Sequence, residues 1–367
     1  MSIITPPIHR DIFEELFVLE LANNHWGKVE RGVRIIREFG TIARYHNVRA
    51  AIKLQIRDVE SFVHKDFRAR TDIRYIKKTV DTQLSKDEFH TLVSEIRKNN
   101  CIPMATPFDE RSVEMCAELG IPILKLASSD INDFVLIEQI AQLRKPVIAS
   151  TGGSSLKDID DLVTFFSNRN LPLALNHCVS IYPSDDHELE MHQIDFLKNR
   201  YPTTTIGFST HEHTDWVASI TIAYAKGART FERHIDLEEP NYAFAPYCST
   251  PRQIDDWFRA FKRVKTMCGA PGTQRRILAQ KEIQYLDALV RGAYAIRDLP
   301  AGHVIRAEDV YLAVPLQRGQ LSCRELIGGT SLSRAVPKDA PVRLEDLDNA
   351  YGADPSLRAL IAERGLA

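Results

Sequence analysis

The sequence predicts an α/β protein, a closed (β/α)₈ TIM barrel followed by a small β-rich domain. Eight short apolar runs alternate with helix-like segments between about residues 17 and 269, and each run ends in polar residues. From about residue 289 the chain changes to short β-like runs separated by turns. A length of 367 residues leaves room for one large barrel and one smaller domain.

The eight apolar runs are the predicted strands of the barrel. They cover residues 17–21, 51–55, 103–106, 123–128, 147–151, 173–178, 206–211 and 230–234. Repeated strand–helix units with short connections form parallel sheets, and eight units favour a closed barrel. The alternative, an open doubly wound sheet, usually has a Gly-rich turn after its first strand, and residues 23–27 (NNHWG) are not such a turn.

A helix-like segment follows each predicted strand. These segments cover residues 29–44, 86–98, 110–119, 136–142, 156–168, 188–200, 214–226 and 251–267. The carboxyl ends of parallel strands meet at one mouth of a barrel. The polar residues that end the eight runs are therefore expected to gather there and form a site.

A Gly- and Pro-rich break at residues 268–272 (CGAPG) ends the strand–helix pattern. We predict the barrel domain over 1–272, a charged linker over 273–290, the small β-rich domain over 291–352 and a tail over 353–367. Strands of the small domain are expected at 291–296, 304–305, 310–314 and 333–336. Two similar phrases, 295–309 and 334–346, suggest an internal pseudo-repeat of strand, turn and acidic helix start. A module of about 60 residues rarely buries enough surface to act alone, so it is expected to pack on a barrel, its own or a partner's.

The composition is that of an ordinary soluble protein. The chain is 44% hydrophobic and 26% charged with a formal net charge of −2, which gives no sign of a nucleic-acid partner. No apolar stretch reaches the roughly 18 residues of a membrane helix, and residues 1–14 lack the pattern of a secretory signal. Six scattered cysteines without C-x-x-C spacing favour a reduced, cytoplasmic protein. They are Cys101, Cys116, Cys178, Cys248, Cys268 and Cys323.

Two histidines, His211 and His234, close the seventh and eighth runs. Neighbouring strands would bring both imidazoles within reach of one ion, and imidazole suits Mn, Co, Fe or Zn. Two histidines alone are often structural, and His213 competes with His211 for the role. A metal site and a structural pair both remain open on this pattern alone.

Two lysines, Lys53 and Lys125, lie inside apolar runs. A buried lysine is costly unless it is paired, so two of them on different strands suggest a shared anionic ligand. Hydroxyls and backbone donors follow the neighbouring runs, at Thr106, Ser128, Ser150, Thr151, Gly152, Gly153, Ser180 and Ser209. Lysines surrounded by neutral donors can hold a phosphate or a carboxylate. The alternative is that both lysines face outward on solvated strand ends.

Three carboxylates, Glu20, Asp130 and Glu232, belong to the expected rim. Each is suited to general acid–base work, metal ligation or binding of a sugar hydroxyl. Glu232 precedes His234 by two residues, so the two share one face of a strand. Ion pairing with Lys53, Lys125 or Arg233 is the competing interpretation.

The residues named above, taken with their neighbours, resemble the sialic acid synthase family, which condenses phosphoenolpyruvate with an aldose to make nonulosonic acids. The resemblance covers nearly the whole chain in order. It is carried by residues 20–25 (ELANNH), 52–55 (IKLQ), 105–109 (ATPFD), 123–132 (ILKLASSDIN), 145–152 (KPVIASTG), 177–183 (HCVSIYP), 206–211 (IGFSTH) and 232–234 (ERH). The C-terminal module resembles that family's antifreeze-like (SAF) domain.

The resemblance implies roles for these residues. It implies a divalent metal on His211 and His234, Mn²⁺ foremost with Mg²⁺ or Co²⁺ as alternatives, and acidic catalytic positions at Glu20 and Asp130. It implies a phosphoenolpyruvate site built from Lys53, Gln55, Thr106, Lys125, Ser128, Ser150, Ser180 and Ser209. It assigns Tyr182, Tyr247 and Arg318 to the acceptor. It also implies a homodimer in which each SAF domain reaches over the partner's barrel mouth.

The chain departs from the family pattern on the acceptor side. The family usually has Gly-Pro-Asp-His after the eighth strand, and here residues 241–249 read NYAFAPYCS. The SAF arginine expected before a Pro-Gly pair is displaced, which leaves Arg318 in residues 315–322 (PLQRGQLS) as the candidate. Asp130 also stands where the family usually has Glu.

Three functions follow from this pattern. The first is condensation of phosphoenolpyruvate with an N-acyl hexosamine such as N-acetylmannosamine or a related sugar. The second is another phosphoenolpyruvate–aldose synthase, such as those that make 3-deoxy-octulosonate 8-phosphate. A phosphorylated acceptor would need extra basic residues at the rim, where only Arg233 and Arg318 are candidates. The third, a silent sugar-binding or scaffold barrel, would be marked by loss of the two lysines or the two histidines, and all four are present.

Overall fold

The structure is a computed structural model, and it describes residues 10–270, 272–322, 329–348 and 353–365. These residues form two compact units, one that ends at Gly269 and one that begins at Ala270. The first unit contains the expected strand–helix alternation. The second contains the short strands expected near the C-terminus.

The first unit is a closed parallel barrel, which confirms the predicted fold class. Each strand pairs with the next along the chain, and β1 pairs with β8 to close the ring. The strands are β1 (Leu16–Ala22), β2 (Ala50–Ile56), β3 (Ile102–Pro107), β4 (Ile123–Leu126), β5 (Val147–Ser150), β6 (Leu173–Cys178), β7 (Thr205–Thr210) and β8 (Thr230–Ile235). A short strand, β9 (Cys248–Ser249), adds in parallel to the end of β8.

Helices alternate with the strands and cover the outside of the barrel. They are α1 (Arg10–Phe13), α2 (Val29–His46), α3 (Val59–Phe62), α4 (Arg74–Asp81), α5 (Lys86–Lys98), α6 (Glu110–Glu118), α7 (Phe134–Gln142), α8 (Leu156–Asn168), α9 (Gln193–Arg200), α10 (Trp216–Lys226) and α11 (Pro251–Cys268). Capping boxes at Ser85, Ser155 and Thr250 fix where α5, α8 and α11 begin.

The helix predicted over 188–200 begins later than expected. A separate 3-10 helix covers Asp186–Glu188, and α9 starts only at Gln193. Glu190, between them, has φ 46°, a left-handed conformation that cannot continue a helix. The short helices α3 and α4, between β2 and β3, were not predicted.

The interior of the barrel is divided into an apolar and a polar layer. Near the amino ends of the strands, the fully buried side chains form an apolar floor of Phe13, Leu16, Val18, Ala51, Met104, Ile123, Ile148 and Ala174. Side chains two positions apart on a strand share a face, so the next interior position on each strand lies nearer the mouth. These positions are polar: Glu20 follows Val18, and Lys125 follows Ile123. The strand period thus places charged groups directly above the apolar floor.

The second unit contains two small antiparallel sheets. Strand β10 (Gly292–Ala295) pairs with β11 (Val310–Ala313), and β12 (Ser331–Leu332) pairs with β13 (Leu347–Asp348). Helices α12 (Gln280–Asp287) and α13 (Pro355–Ala362) lie on either side of this region in the sequence. Of the strands predicted here, 304–305 and 333–336 are wrong: Val304 and Val336 form only isolated bridges, to Ser331 and Leu299.

The predicted pseudo-repeat has a matching local structure in both copies. The 3-10 helices Ala307–Asp309 and Leu344–Asp346 each lead into a strand. In the first copy Asp309 accepts hydrogen bonds from Arg297, His303 and the backbone of Arg306. In the second copy Asp346 accepts them from Arg334 and the backbone of Arg343. A buried aspartate thus fixes the same turn twice.

The cysteines are unpaired where the structure describes them. Cys101, Cys116, Cys178 and Cys248 are buried thiols, and Cys268 is exposed. Cys323 lies outside the described residues. Over the described ranges, no helix is both long and apolar enough to cross a membrane.

Candidate active site

A pocket of about 640 Å³ opens at the carboxyl ends of the barrel strands. Nearly all of the site residues expected in the barrel line it. They are Glu20, Lys53, Gln55, Thr106, Lys125, Ser128, Ser150, Ser180, Tyr182, Ser209, His211, Glu232, His234 and Tyr247. The eight run ends therefore converge on one cavity. The bound molecules and the individual roles implied for these residues stay predictions.

The two histidines face each other across the strand ends. Their ring centres are 5.4 Å apart. The Nδ1–H group of His211 donates to the carbonyl of Val179 at 2.9 Å, which leaves Nε2 free to accept or ligate. Burial lowers the pKa of His211 to about 4 and holds the pKa of His234 well below its usual value. Both imidazoles are therefore neutral near pH 7.

Two tyrosines enclose the histidine pair. The ring centre of Tyr182 is 3.8 Å from that of His211, and the ring centre of Tyr247 is 5.1 Å from that of His234. Across the described ranges, no group of three or more His, Cys, Asp or Glu side chains is arranged to hold a metal ion. Any ion here would take two protein ligands and fill its other positions with water or substrate.

A buried ion cluster joins three strands at the centre of the pocket. Lys53 Nζ lies 2.9 Å from Glu232 Oε1 and also contacts Glu20. Burial alone would lower the pKa of Lys53, but the two carboxylates raise it, so the lysine stays charged. Burial raises the pKa of Glu20. Burial acts in the same direction on Glu232, but the charges of Lys53 and Lys125 outweigh it and lower that pKa.

The second lysine, Lys125, is bound by neutral groups. Its Nζ donates to Ser150 Oγ at 2.7 Å and to the carbonyl of Leu126 at 2.8 Å. Within the described ranges it forms no ion pair, and burial lowers its pKa. Close by, the Gly152 N–H donates to Ser128 Oγ at 3.1 Å. A buried ammonium without a counter-ion, beside hydroxyls, is an environment that stabilises a bound anion.

Two of the residues to which the resemblance assigns catalytic or acceptor roles lie elsewhere. Asp130 ends the 3-10 helix Ser128–Asp130 and does not line the pocket; its Oδ1 accepts from Ser129 at 2.7 Å. Arg318 belongs to the second unit, where its side chain is exposed and its carbonyl accepts from Arg343.

Two alternatives from the sequence, Arg233 as a partner of the rim carboxylates and His213 in place of His211, are not seen in the structure. Arg233 is fully buried and pairs with Glu212 rather than with Glu20 or Glu232. His213 is exposed and does not line the pocket.

Sequence reasoning missed a group of basic and aromatic residues at the rim. The pocket is also lined by Arg57 after β2, by Phe108 after β3 and by Arg74, Tyr75 and Lys78 of α4. The connection between β2 and β3, residues 57–101, is long for a barrel loop and was the one available sign of extra structure at the mouth.

Comparisons with known proteins match both units. The sequence model described as the NeuB family matches residues 43–271, and the SAF domain matches residues 290–348. The N-acetylneuraminate-9-phosphate synthase of Drosophila melanogaster is 30% identical over 64% of this chain and 64% of its own length.

Two solved structures extend the similarity. The putative spore coat polysaccharide biosynthesis protein E of Chromobacterium violaceum is 36% identical, with a TM-score of 0.89 over 92% of this chain and all of its own. The N-acetylneuraminic acid synthetase of Leptospira borgpetersenii, solved with citrate, is 27% identical, with a TM-score of 0.64 over 74% of this chain and 91% of its own.

Proposed function

This chain belongs to the NeuB family, and we propose that it condenses phosphoenolpyruvate with an aldose to give a nonulosonic acid and phosphate. The acceptor class we propose is an N-acyl hexosamine, such as N-acetylmannosamine or a related sugar. The observation that carries the proposal is the pocket itself, where two buried lysines and a row of hydroxyls lie beside two neutral histidines.

Phosphoenolpyruvate carries a carboxylate and a phosphate on the same carbon, carbon 2, and both need cationic or hydrogen-bonding partners. Lys125 supplies a buried charge without a counter-ion in the described part of the chain. Ser128, Ser150, Ser180 and Ser209, with Thr106 and Gln55, line the same pocket. We assign the phosphoenolpyruvate site to these residues together with Lys53. Donors fixed before the substrate arrives stabilise its charge without reorganisation.

The reaction forms one carbon–carbon bond and breaks one carbon–oxygen bond. Carbon 3 of phosphoenolpyruvate bonds to the aldehyde carbon of the acceptor, whose oxygen takes a proton and becomes a hydroxyl. Water adds at carbon 2 and loses a proton. The hydroxyl at carbon 2 of the tetrahedral intermediate then passes its proton to the leaving phosphate as the bond to the phosphate oxygen breaks, which releases inorganic phosphate and leaves a 2-keto acid. Two proton transfers thus need a donor and an acceptor in the pocket.

We assign those proton transfers to the two carboxyl groups beside Lys53. The raised pKa of Glu20 lets it hold a proton that Glu232, with its lowered pKa, does not. Two carboxyl groups whose pKa values are pushed apart provide an acid and a base at one pH. Lys53 holds both in place through its contacts to each.

The donors at the histidine pair fit a divalent metal, for which we propose Mn²⁺, with Mg²⁺ or Co²⁺ as alternatives. Both imidazoles are neutral, and Nε2 of His211 is not used by its own hydrogen bond. When bound, such an ion supplies Lewis acidity that polarises the acceptor's aldehyde oxygen. Tyr182 and Tyr247 pack against the pair.

We also propose that the protein is a homodimer in which the SAF region of one subunit covers the barrel mouth of the other. The support is the family resemblance together with the exposure of the Arg318 side chain. This side chain is exposed and, in the part of the chain that the structure describes, makes no ion pair. In this arrangement Arg318 of the partner subunit would contact the acceptor.

The proposed activity is tested with purified protein, phosphoenolpyruvate, Mn²⁺ and a panel of aldoses that includes N-acetylmannosamine. We expect inorganic phosphate and a 2-keto acid to appear in equal amounts, and only when an acceptor is present. Phosphate release without a new 2-keto acid, or no reaction with any aldose, would contradict the proposal and favour a silent barrel.

A further inference from the structure

We infer that the acceptor sugar carries a phosphate monoester at the end remote from its aldehyde, bound by Arg57, Arg74 and Lys78 at the rim of the pocket. The inference rests on the proposed condensation and narrows its acceptor class. It comes from three cations that line the cavity and that the roles given above do not use.

Arg57 is a largely buried cation without a counter-ion. Its guanidinium lies 3.7 Å from the centre of the Phe108 ring and donates to Gln55 Oε1 at 3.0 Å and to Tyr75 Oη at 2.9 Å. Its Nε is buried without a partner. In the described ranges no carboxylate pairs with it, and burial lowers its pKa. A charge that is desolvated, held in place and unpaired is suited to a bound anion.

Arg74 and Lys78 extend this cation group along α4. They are four residues apart, so they share one face of the helix, and both line the pocket. Lys77, on another face, pairs with Asp81 within the helix instead. Burial lowers the pKa of Lys78, and the positive charges of Arg74 and Arg57 act in the same direction. All three cations line the same cavity, so one ligand bound there can reach them.

The group lies beside the part of the pocket that we assign to the acceptor. Tyr247 lines the same pocket as Arg74 and Lys78, and its ring centre is 5.1 Å from that of His234. A sugar with its aldehyde at the histidine pair would thus extend toward α4.

The cations of the pocket divide into two groups. Its lining contains five cationic side chains and two carboxylates, Glu20 and Glu232, and Lys53 contacts both carboxylates. The roles proposed for Lys53 and Lys125 leave the three rim cations for a second ligand. A phosphate monoester carries up to two charges and three acceptor oxygens, so it suits two guanidinium groups and an ammonium better than a single carboxylate does.

The test compares N-acetylmannosamine with its 6-phosphate, at saturating phosphoenolpyruvate and Mn²⁺. We expect wild-type protein to have the higher kcat/KM for the phosphorylated sugar. In the double variant Arg74→Gln/Lys78→Gln, the ratio of the two kcat/KM values should fall about tenfold or more for each charge removed. Lys77→Gln, on the same helix and outside the pocket, is the matched control and should keep the wild-type ratio.

The outcomes separate this inference from the proposed function. A preference for the neutral sugar, or an unchanged ratio in the double variant, would overturn the phosphate site while leaving the condensation intact. A rise in the KM for phosphoenolpyruvate with an unchanged sugar ratio would assign the three cations to phosphoenolpyruvate and would also overturn it. No 2-keto acid with either sugar would overturn the condensation itself and the inference with it.

Discussion

At the residue scale, the ion cluster around Lys53 supplies the two carboxyl groups that make the barrel mouth a candidate catalytic centre. Glu20, Lys53 and Glu232 come from three different strands, and all three are buried. Removing one partner of a buried ion pair is far more costly than replacing the whole group. The cluster therefore ties the stability of the barrel to the same charges that we assign to proton transfer.

The metal proposal predicts the effect of a single substitution in the histidine pair. His234→Ala should bind Mn²⁺ at least tenfold more weakly and lose metal-dependent turnover, because one of two protein ligands is gone. Calorimetric titration with Mn²⁺ and an assay of 2-keto acid measure the two effects. His213→Ala, an exposed neighbour that does not line the pocket, is the control and should behave as wild type. Full turnover by His234→Ala, or by metal-stripped wild type, would exclude the role.

The sequence could predict which residues lie in the pocket, but not how their side chains pair. Lysines and histidines at strand ends were placed in the pocket because the two-residue strand period and the parallel barrel put them there. Ion pairing of the rim carboxylates with Lys53, Lys125 or Arg233 was one interpretation, and which of these pairs forms was left open. Whether Glu232 would pair with Lys53, Lys125 or Arg233 depends on side-chain packing between strands, and Glu212, the actual partner of Arg233, was not considered.

At the scale of elements, the second unit depends on its repeated aspartate turn. Asp309 is almost fully buried, and its carboxylate accepts three hydrogen bonds that close the 3-10 helix before β11. Hydrogen bonds to a charged group are worth about 1.5–3 kcal/mol each in net stability when the partner is removed. One side chain thus accounts for much of the local order.

Asp309→Asn should loosen this turn. We expect a loss of about 1.5–3 kcal/mol in local stability, because the amide keeps the shape of the side chain but not its charge. Hydrogen exchange of the backbone amides of β10 and β11 measures this loss directly. Glu308→Gln, at a highly exposed position one residue earlier, is the control. Equal exchange in the two variants would contradict the role of Asp309.

The same turn should be acid-sensitive. The hydrogen bond from His303, with the others, lowers the pKa of Asp309 below its usual value in the folded protein. A carboxyl with a lowered folded-state pKa stabilises the fold above its ordinary pKa near 3.8, and this contribution is lost as pH falls through the lower, folded value. The protection of the β10 and β11 amides, measured relative to their intrinsic exchange rates at each pH, should accordingly fall below about pH 4 in wild type. Asp309→Asn should lack this acid-induced loss of protection.

Element prediction succeeded where apolar periodicity was strong. The eight strands and most of the outer helices have buried faces with regular spacing. Helix α4 does have an apolar face, with Tyr75, Ile76 and Val80, but it is only eight residues long and lies within the long connection between β2 and β3. Two of the rim cations were missed for that reason, since nothing in the sequence tied residues 74–78 to the barrel mouth.

At the scale of the whole molecule, the proposed dimer predicts complementation between two inactive variants. His234→Ala removes a barrel function, and Arg318→Ala removes the proposed SAF contribution. A mixed dimer would contain one barrel with intact histidines covered by one intact Arg318. Random reassociation should then restore about a quarter of wild-type activity, because half of the dimers are mixed and each has one complete site.

The complementation is read from 2-keto acid formation after the subunits are exchanged and their dimeric state is checked by sedimentation. Each variant alone, treated in the same way, serves as the control. No recovery in a mixture shown to contain mixed dimers would mean that Arg318 acts on its own barrel, and full activity of Arg318→Ala alone would mean that Arg318 has no role.

The apolar floor of the barrel determines the order in which the substrates bind. Side chains such as Met104 and Ile148 are fully buried there, so in the described chain the two lysines are reached from the mouth. Phosphoenolpyruvate must pass the rim before a sugar occupies it, and a sugar bound first would block the way. The order of binding is then compulsory, with phosphoenolpyruvate first. Isotope trapping should capture labelled phosphoenolpyruvate from its binary complex and should capture no labelled sugar from its own.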